Sequence, residues 1–325
     1  MTLGMGRRQL AIEYVHRFRA DYDLVWWVPA VTRNLAATAL ARLARRPDCP
    51  RRPGLPWTDG VDAAAQRALG VLQTGSPYGR WLVVYDDATD PDALAGLLPS
   101  GPGRTLLTAR DAKWEKLGHP LVPERMGPKE SAELLLGRVP SLDPVAADDL
   151  ATALGEVPPL ALDQAGGWLA GAGAENAVGK YLAGLMLGEK GREAGGTGPD
   201  ASEGPARFAE AALRKSSPAA HRLLQLCCRF APLSLSLTAI RSGAALDTLR
   251  SYDASLVDVS RLDGLVAELT RLCLAEIDTA GDSLRVHRLV QRVVMAELAP
   301  EERETALPDL YGILNAAAAG QEDPL

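Results

Sequence analysis

No two of the four cysteines, Cys49, the adjacent Cys227 and Cys228, and Cys273, are spaced as CxxC. The four histidines, His16, His119, His221 and His287, are equally scattered. A zinc centre built from sequence-local ligands needs such pairs, so the spacing excludes one. Cys227, Cys228 and Cys273 stand in leucine-rich runs and are expected as small core residues. Positive charge is short as well. The balance of 35 Lys and Arg against 41 Asp and Glu leaves −6 at pH 7, the wrong sign for a general nucleic-acid binder, which needs a basic face. No run approaches the ~20 apolar residues of a membrane span, and the first twenty residues lack the apolar core of a signal peptide. A cytoplasmic protein without membrane partners is expected. Internal repeats are absent too.

What is present is ordinary globular composition, 47% apolar and 23% charged. A core of normal size needs neither disulfides nor metals, and 325 residues suit two or three compact units. From Gln9 to Arg19 apolar residues recur at helical spacing. A β-rich run follows, Leu24 to Val28 (LVWWV), then Ala-rich helical sequence to Cys49, a Pro/Arg loop, and a helix over Val61 to Thr74. Trp81 to Asp87 (WLVVYDD) and Thr105 to Thr108 (TLLT) are unbroken apolar runs of the kind buried on both faces of a parallel sheet. The stretch between them, PDALAGLL, reads as helical. Strands alternating with helices predict a doubly wound α/β layer. After Met126 the pattern is helical over Lys129–Gly137, Pro144–Leu154 and Pro159–Ala170. A Gly-rich polar linker runs from 188 to 205. Helical sequence then leads to helix (Leu262–Leu272), strand (Leu274–Asp278), a turn at Gly281, strand (Ser283–Val286) and helix (Arg288–Leu298), an order that suggests a winged helix. A last helix spans Glu301 to Ala319.

Asp86 and Asp87 close the WLVVYDD strand at the end where α/β sheets bind ligands. There Asp86 could hold Mg²⁺ through water, and Asp87 could orient an attacking water. The plainer reading is a solvated acidic turn, since Asp90 and Asp92 follow. The N-terminal GMGRRQLA has the glycines and the helix start of a P-loop, but Arg7 and Arg8 stand where Lys and Ser/Thr would cradle phosphate and metal.

The strings QLAIEYVHRF, YDLVWWVPA, WLVVYDDATDPDAL, GRTLLTARDAKW, LGEVPPLALDQAGGWLA and SLRVHRLVQ fall in the order found in actinobacterial STAND proteins. The chain resembles the NB-ARC-like P-loop ATPase core of those associated with FxSxx-COOH peptide systems, which usually continue into tetratricopeptide repeats. The resemblance covers about residues 3 to 300. It implies that Gly4 and Gly6 are P-loop glycines, that Asp86 and Asp87 are the Walker B pair, and that Arg110 is the sensor arginine reading the γ-phosphate. It also implies that Pro159 packs over adenine and that His287 touches the ADP β-phosphate in the resting state. Residue by residue, Arg110 also reads as a surface arginine and His287 as a capping histidine. The departures are as telling. Arginine is a planar fork rather than a point charge and cannot replace a hydroxyl ligand of Mg²⁺. Pro158–Pro159 is one residue longer than the usual string, and Arg288 replaces a common Asp.

The architecture expected is a P-loop NTPase α/β domain (1–125), a helical subdomain (126–187), the linker, a winged-helix-like domain (206–300) and a helical tail (301–325) leading toward repeats. The function implied is an ADP/ATP-gated signalling switch with weak or lost hydrolysis, acting on protein partners or by self-association. A pseudo-ATPase scaffold is the alternative. A winged-helix DNA binder ranks last, since 206–300 has only 12 Lys and Arg against 10 Asp and Glu. One further expectation concerns the sheet. Only Met1 to Leu3 precede Gly4, too few for the strand of about 5–6 residues that normally leads into a P-loop. Its neighbours must then pair directly, a strand must be borrowed, or folding is poor; the natural product would start further upstream or be a decayed copy.

Overall fold

The computed structural model describes the chain except residues 1–3, 50–59, 110, 173–175, 191–202, 232, 279–281 and 320–325. It divides into two compact units, Gly6–Pro123 and Glu124–Leu325, and Gly4 and Met5 belong with the second.

The first unit contains α1 (Arg7–Phe18), β1 (Leu24–Pro29), α2 (Arg33–Ala44), α3 (Val61–Thr74), β2 (Trp81–Ala88) and β3 (Arg104–Ala109). Its strands form one parallel sheet in the order β1-β2-β3. Leu24 lies opposite Trp81, and Leu82 lies opposite Arg104. The central strand is the one whose sequence is apolar without interruption, and Trp81 to Tyr85 are all buried. Alternation sends Val83 and Tyr85 to one face, where Leu40 and Leu43 of α2 and Leu69 and Leu72 of α3 meet them. Leu82 and Val84 face the other way, against Ala11, Tyr14 and Val15 of α1. Each face of the sheet therefore has its own helical cover, which is why β2 needs no polar alternation. β2 and β3 are hydrogen-bonded neighbours, with a register shift between Tyr85 and Ala88.

Residues 91–98 do not form the expected helix. They make successive turns, with Leu94 N bonded to Pro91 O (3.2 Å) and Leu97 N to Leu94 O (2.9 Å). Gly96 at φ 73° breaks the helical path. Leu94 and Leu97 are still buried. The exposed carbonyls find side-chain partners, Arg33 on Ala95 O (2.9 Å) and Gln66 on Gly96 O (2.9 Å).

The second unit is mostly helical. It comprises α4 (Pro128–Arg138), α5 (Pro144–Leu154), α6 (Pro159–Gly171), α7 (Ala177–Lys190), α8 (Gly204–Ser216) and α9 (Pro218–Phe230). Then come β4 (Leu235–Ser236), α10 (Leu237–Ile240), α11 (Gly243–Arg250), α12 (Leu262–Arg271), β5 (Ala275–Asp278), β6 (Ser283–Val286), α13 (Arg288–Glu297) and α14 (Pro300–Ala319). Six of these helices carry Pro in the first turn, where its missing N–H is no loss and its fixed φ suits the helix. The stretch expected as a linker is helical at both ends, to Lys190 and from Gly204, while residues 191–202 lie outside the described residues. The strands form an antiparallel sheet ordered β4-β6-β5. Gly281 lies outside the described residues. Cys227 and Cys228 are buried, as is Cys49, but Cys273 is only half-buried. It sits at φ 52° in the tight turn from α12 to β5 and so cannot point into the core as a strand residue would.

Candidate functional site

In the first unit, β2 delivers Asp86 and Asp87 to the C-terminal end of the sheet. Asp86 is 3% exposed. Its Oδ1 accepts from the Thr108 hydroxyl of β3 (2.8 Å), and its Oδ2 accepts from the Arg8 guanidinium. Arg8 comes from the first turn of α1 and lies 5.4 Å from the centre of the Trp27 ring on β1. A buried carboxylate is costly alone, and removing one partner of such a pair typically costs about 3–5 kcal/mol. Three separate elements, α1, β2 and β3, thus converge on one carboxylate.

Asp87 is a non-glycine residue at φ 59°, and its N–H donates to the same Thr108 hydroxyl (2.7 Å). Such left-handed residues cost about 1–3 kcal/mol and persist where surrounding contacts hold them, often at functional sites. Thr108 therefore links the two acids. Its one signal in the sequence is a hydroxyl ending an apolar strand, and sequence reasoning passed over it. Trp27 is half-buried, with the Arg8 guanidinium over its ring. Gly6 caps α1 in a left-handed conformation, φ 70°, and Arg7 is half-buried at the helix start.

The residues do not suit Mg²⁺. This ion demands octahedral oxygen coordination and retains several waters, whereas both oxygens of the buried Asp86 are engaged and a hydroxyl ligand is absent from the Arg8 position. At about 4 Å and an effective dielectric of about 20, a doubly charged ion and a guanidinium would repel by roughly 8 kcal/mol. Among the described residues no group of three His, Cys, Asp or Glu side chains is placed to hold a metal ion.

In the second unit Gly4 meets the start of α6 at Pro159, and His287 caps α13. Helix α6 starts at Pro159 without a side-chain cap, and the Gly4 carbonyl accepts from Leu160 N instead (3.3 Å). Gly4 is at φ 82°, and a Cβ there would lie 3.1 Å from Leu160 Cβ and 3.2 Å from Pro158 Cβ, so the close approach requires glycine. The Leu160 side chain packs against Ala206, Leu289 and Val293. Leu289 is in the first turn of α13, the helix capped by His287, whose Nδ1 accepts from Leu289 N (3.1 Å). That bond requires Nδ1 to be unprotonated. Arg110 lies outside the described residues.

A family model described as a domain of unknown function (DUF7779) matches residues 211–303, less than a third of the chain. The matched segment runs from within α8 to the start of α14 and holds the whole β4-β6-β5 sheet. No curated protein matches. Among solved structures, the ORC2 protein of Aeropyrum pernix, determined as ADPNP–ADP complexes, aligns over 99% of this chain and 87% of that one, at 14% identity and a TM-score of 0.34. A score this low carries no argument about fold or ligand. No helix among the described residues is long and apolar enough to cross a membrane.

Proposed function

We propose that the chain is a regulatory module of P-loop ATPase descent that binds ADP or ATP and hydrolyses ATP weakly or not at all. The observation that carries this reading is the ion pair of Arg8 with the buried Asp86 at the end of the central strand. A working site needs a lysine on the phosphates and a metal on that aspartate; here an arginine holds the aspartate. Losing one such electrostatic group typically raises the barrier by about 3–4 kcal/mol. Within the first unit this reading assigns nucleotide contact to Gly6, Arg7 and Arg8; Gly4, Pro159 and His287 are assigned from the resemblance alone. This reading assigns Asp87 as the catalytic acid and Arg110 as the sensor. The order α12-β5-β6-α13, with β4 completing the sheet, supports the winged-helix reading. Under it, ADP favours the resting state and exchange for ATP the signalling one.

The same ion pair favours a second reading, a pseudo-ATPase scaffold that has lost nucleotide and acts through protein contacts. Winged-helix DNA binding loses further ground, because Arg292 of α13 is paired with Glu203 at 2.6 Å. Calorimetric titration of the full chain with ADP and ATP, with and without Mg²⁺, separates the two main readings, and a phosphate-release assay reads turnover. Micromolar ADP binding with background hydrolysis supports the switch, and no binding supports the scaffold. Robust turnover that disappears in Asp87→Asn overturns both.

A further inference from the structure

We infer that Arg8 is the resident cation of Asp86, so that the acidic end of the central strand works without a divalent metal and takes none from solution. This deepens the proposed function, yet it concerns one carboxylate and stands whether or not nucleotide binds.

Three observations converge on it. Asp86 is 3% exposed, so its charge must be compensated inside the protein. Its two oxygens accept from different elements, Oδ1 from Thr108 of β3 (2.8 Å) and Oδ2 from Arg8 of α1. The guanidinium is itself positioned: it leaves the first turn of α1 and lies over Trp27 at 5.4 Å from the ring centre, a cation–π contact that arginine makes more often than lysine. The positive charge that a metal would supply is thus covalently part of the chain. It is present at all metal concentrations and cannot be chelated away. Any phosphate-bearing ligand at this end of the sheet would meet an arginine in place of a hydrated metal, so its binding would be indifferent to Mg²⁺.

The test uses the full chain without nucleotide. Thermal unfolding is followed in chelator and in millimolar Mg²⁺ or Mn²⁺, and Mn²⁺ binding is titrated by its paramagnetic relaxation of water. The wild type should show the same midpoint in both media and no stoichiometric Mn²⁺. Arg8→Thr removes the resident cation and supplies a hydroxyl. It should melt lower in chelator and recover with metal, by roughly tenfold in the folded-to-unfolded ratio when the ion is at about ten times its dissociation constant. Arg8→Thr combined with Asp86→Asn should show no metal response. If Arg8→Thr does not fold, Arg8→Lys retains a cation and should remain as indifferent to metal as the wild type. Stoichiometric Mn²⁺ on the wild type that is lost in Asp86→Asn overturns the inference. A folded Arg8→Thr without any response to metal overturns it as well.

Discussion

His287 shows how one side chain can carry two roles that a single substitution would confuse. Its Nδ1 caps α13, and losing a cap costs about 1 kcal/mol. His287→Ala is expected to lower stability by that amount and, on the nucleotide reading, to weaken ADP. Asparagine is a strong N-cap, so His287→Asn should restore the melting temperature and leave ADP weak. Recovery of ADP affinity in His287→Asn would show the histidine to be purely a cap. Glu210 makes a pH-dependent case. Burial pushes its carboxyl up, but hydrogen bonds with His221 (2.5 Å) and Arg214 (2.7 Å) outweigh it and hold the group below its usual 4.5. Because that carboxylate accepts, the imidazole Nε2 donates. Glu302 is also lowered: burial raises it, and bonds from Gln225 and the Ala299 amide, both 3.0 Å, prevail. The unfolded chain binds these protons more readily than the folded one. Their stabilisation is therefore complete above the usual value of 4.5 and is lost as pH falls through the folded values. Urea midpoints should be flat from about pH 7 to 5 and fall below that, and Glu210→Gln should shrink the fall. An unchanged acid limb in the variant would remove Glu210 from the explanation.

At the scale of elements, α6 is shaped by what it lacks. A Cβ on Gly167 would lie 2.2 Å from the Arg271 carbonyl oxygen, and one on Gly171 2.5 Å from the Arg271 guanidinium. The absent side chains let the end of α12 lie against α6, and Arg271 Nη1 donates to Gly167 O (2.8 Å). Arg138 of α4 reaches the same turn, donating to Arg271 O (3.2 Å). Alanine gains about 1 kcal/mol over glycine in a helix interior, while overpacking against backbone costs about 1–3 kcal/mol. Gly167→Ala should therefore destabilise despite its better propensity. Gly70 lies within α3, and a Cβ there would meet nothing within 4 Å. Gly70→Ala should stabilise by up to about 1 kcal/mol. Denaturant midpoints of the two variants moving in the same direction would refute the steric argument.

For the whole molecule, the two units have separate cores. Sheet and helix residues of the first bury one another around Val83 and Tyr85 on one face and Leu82 and Val84 on the other. The second has its own clusters around Leu223, Leu226 and Leu269 and around Leu135, Leu150 and Leu162. Separate cores need not melt together. Differential scanning calorimetry should resolve two transitions, and Gly167→Ala should shift only one of them. A single transition, with calorimetric and van't Hoff enthalpies equal, would show one cooperative unit.

Much of this was legible from residue order alone. The run WLVVYDD became a strand covered on both faces, as its unbroken apolar sequence implies, whereas TLLT became the edge strand β3, with Thr105 exposed and Leu106 and Leu107 only half-buried. Pro144–Leu154 and Val61–Thr74 are helices with the ends that proline, aspartate and glycine dictate. Local signals failed where partners are distant. The two-residue β4 exists only by pairing with β6, and residues 91–98 became turns whose carbonyls are held by Arg33 and Gln66. The acids at the end of β2 were visible at once, and so were the two arginines that follow Gly6. That Arg8 would turn onto Asp86, with Thr108 completing the carboxylate's shell, depends on residues 78 and 22 positions away. Sequence by itself determined the longer strands and helices and the acids that end β2. Tertiary structure decided which charge met which, because a buried carboxylate is neutralised by whatever cation the packing brings within reach.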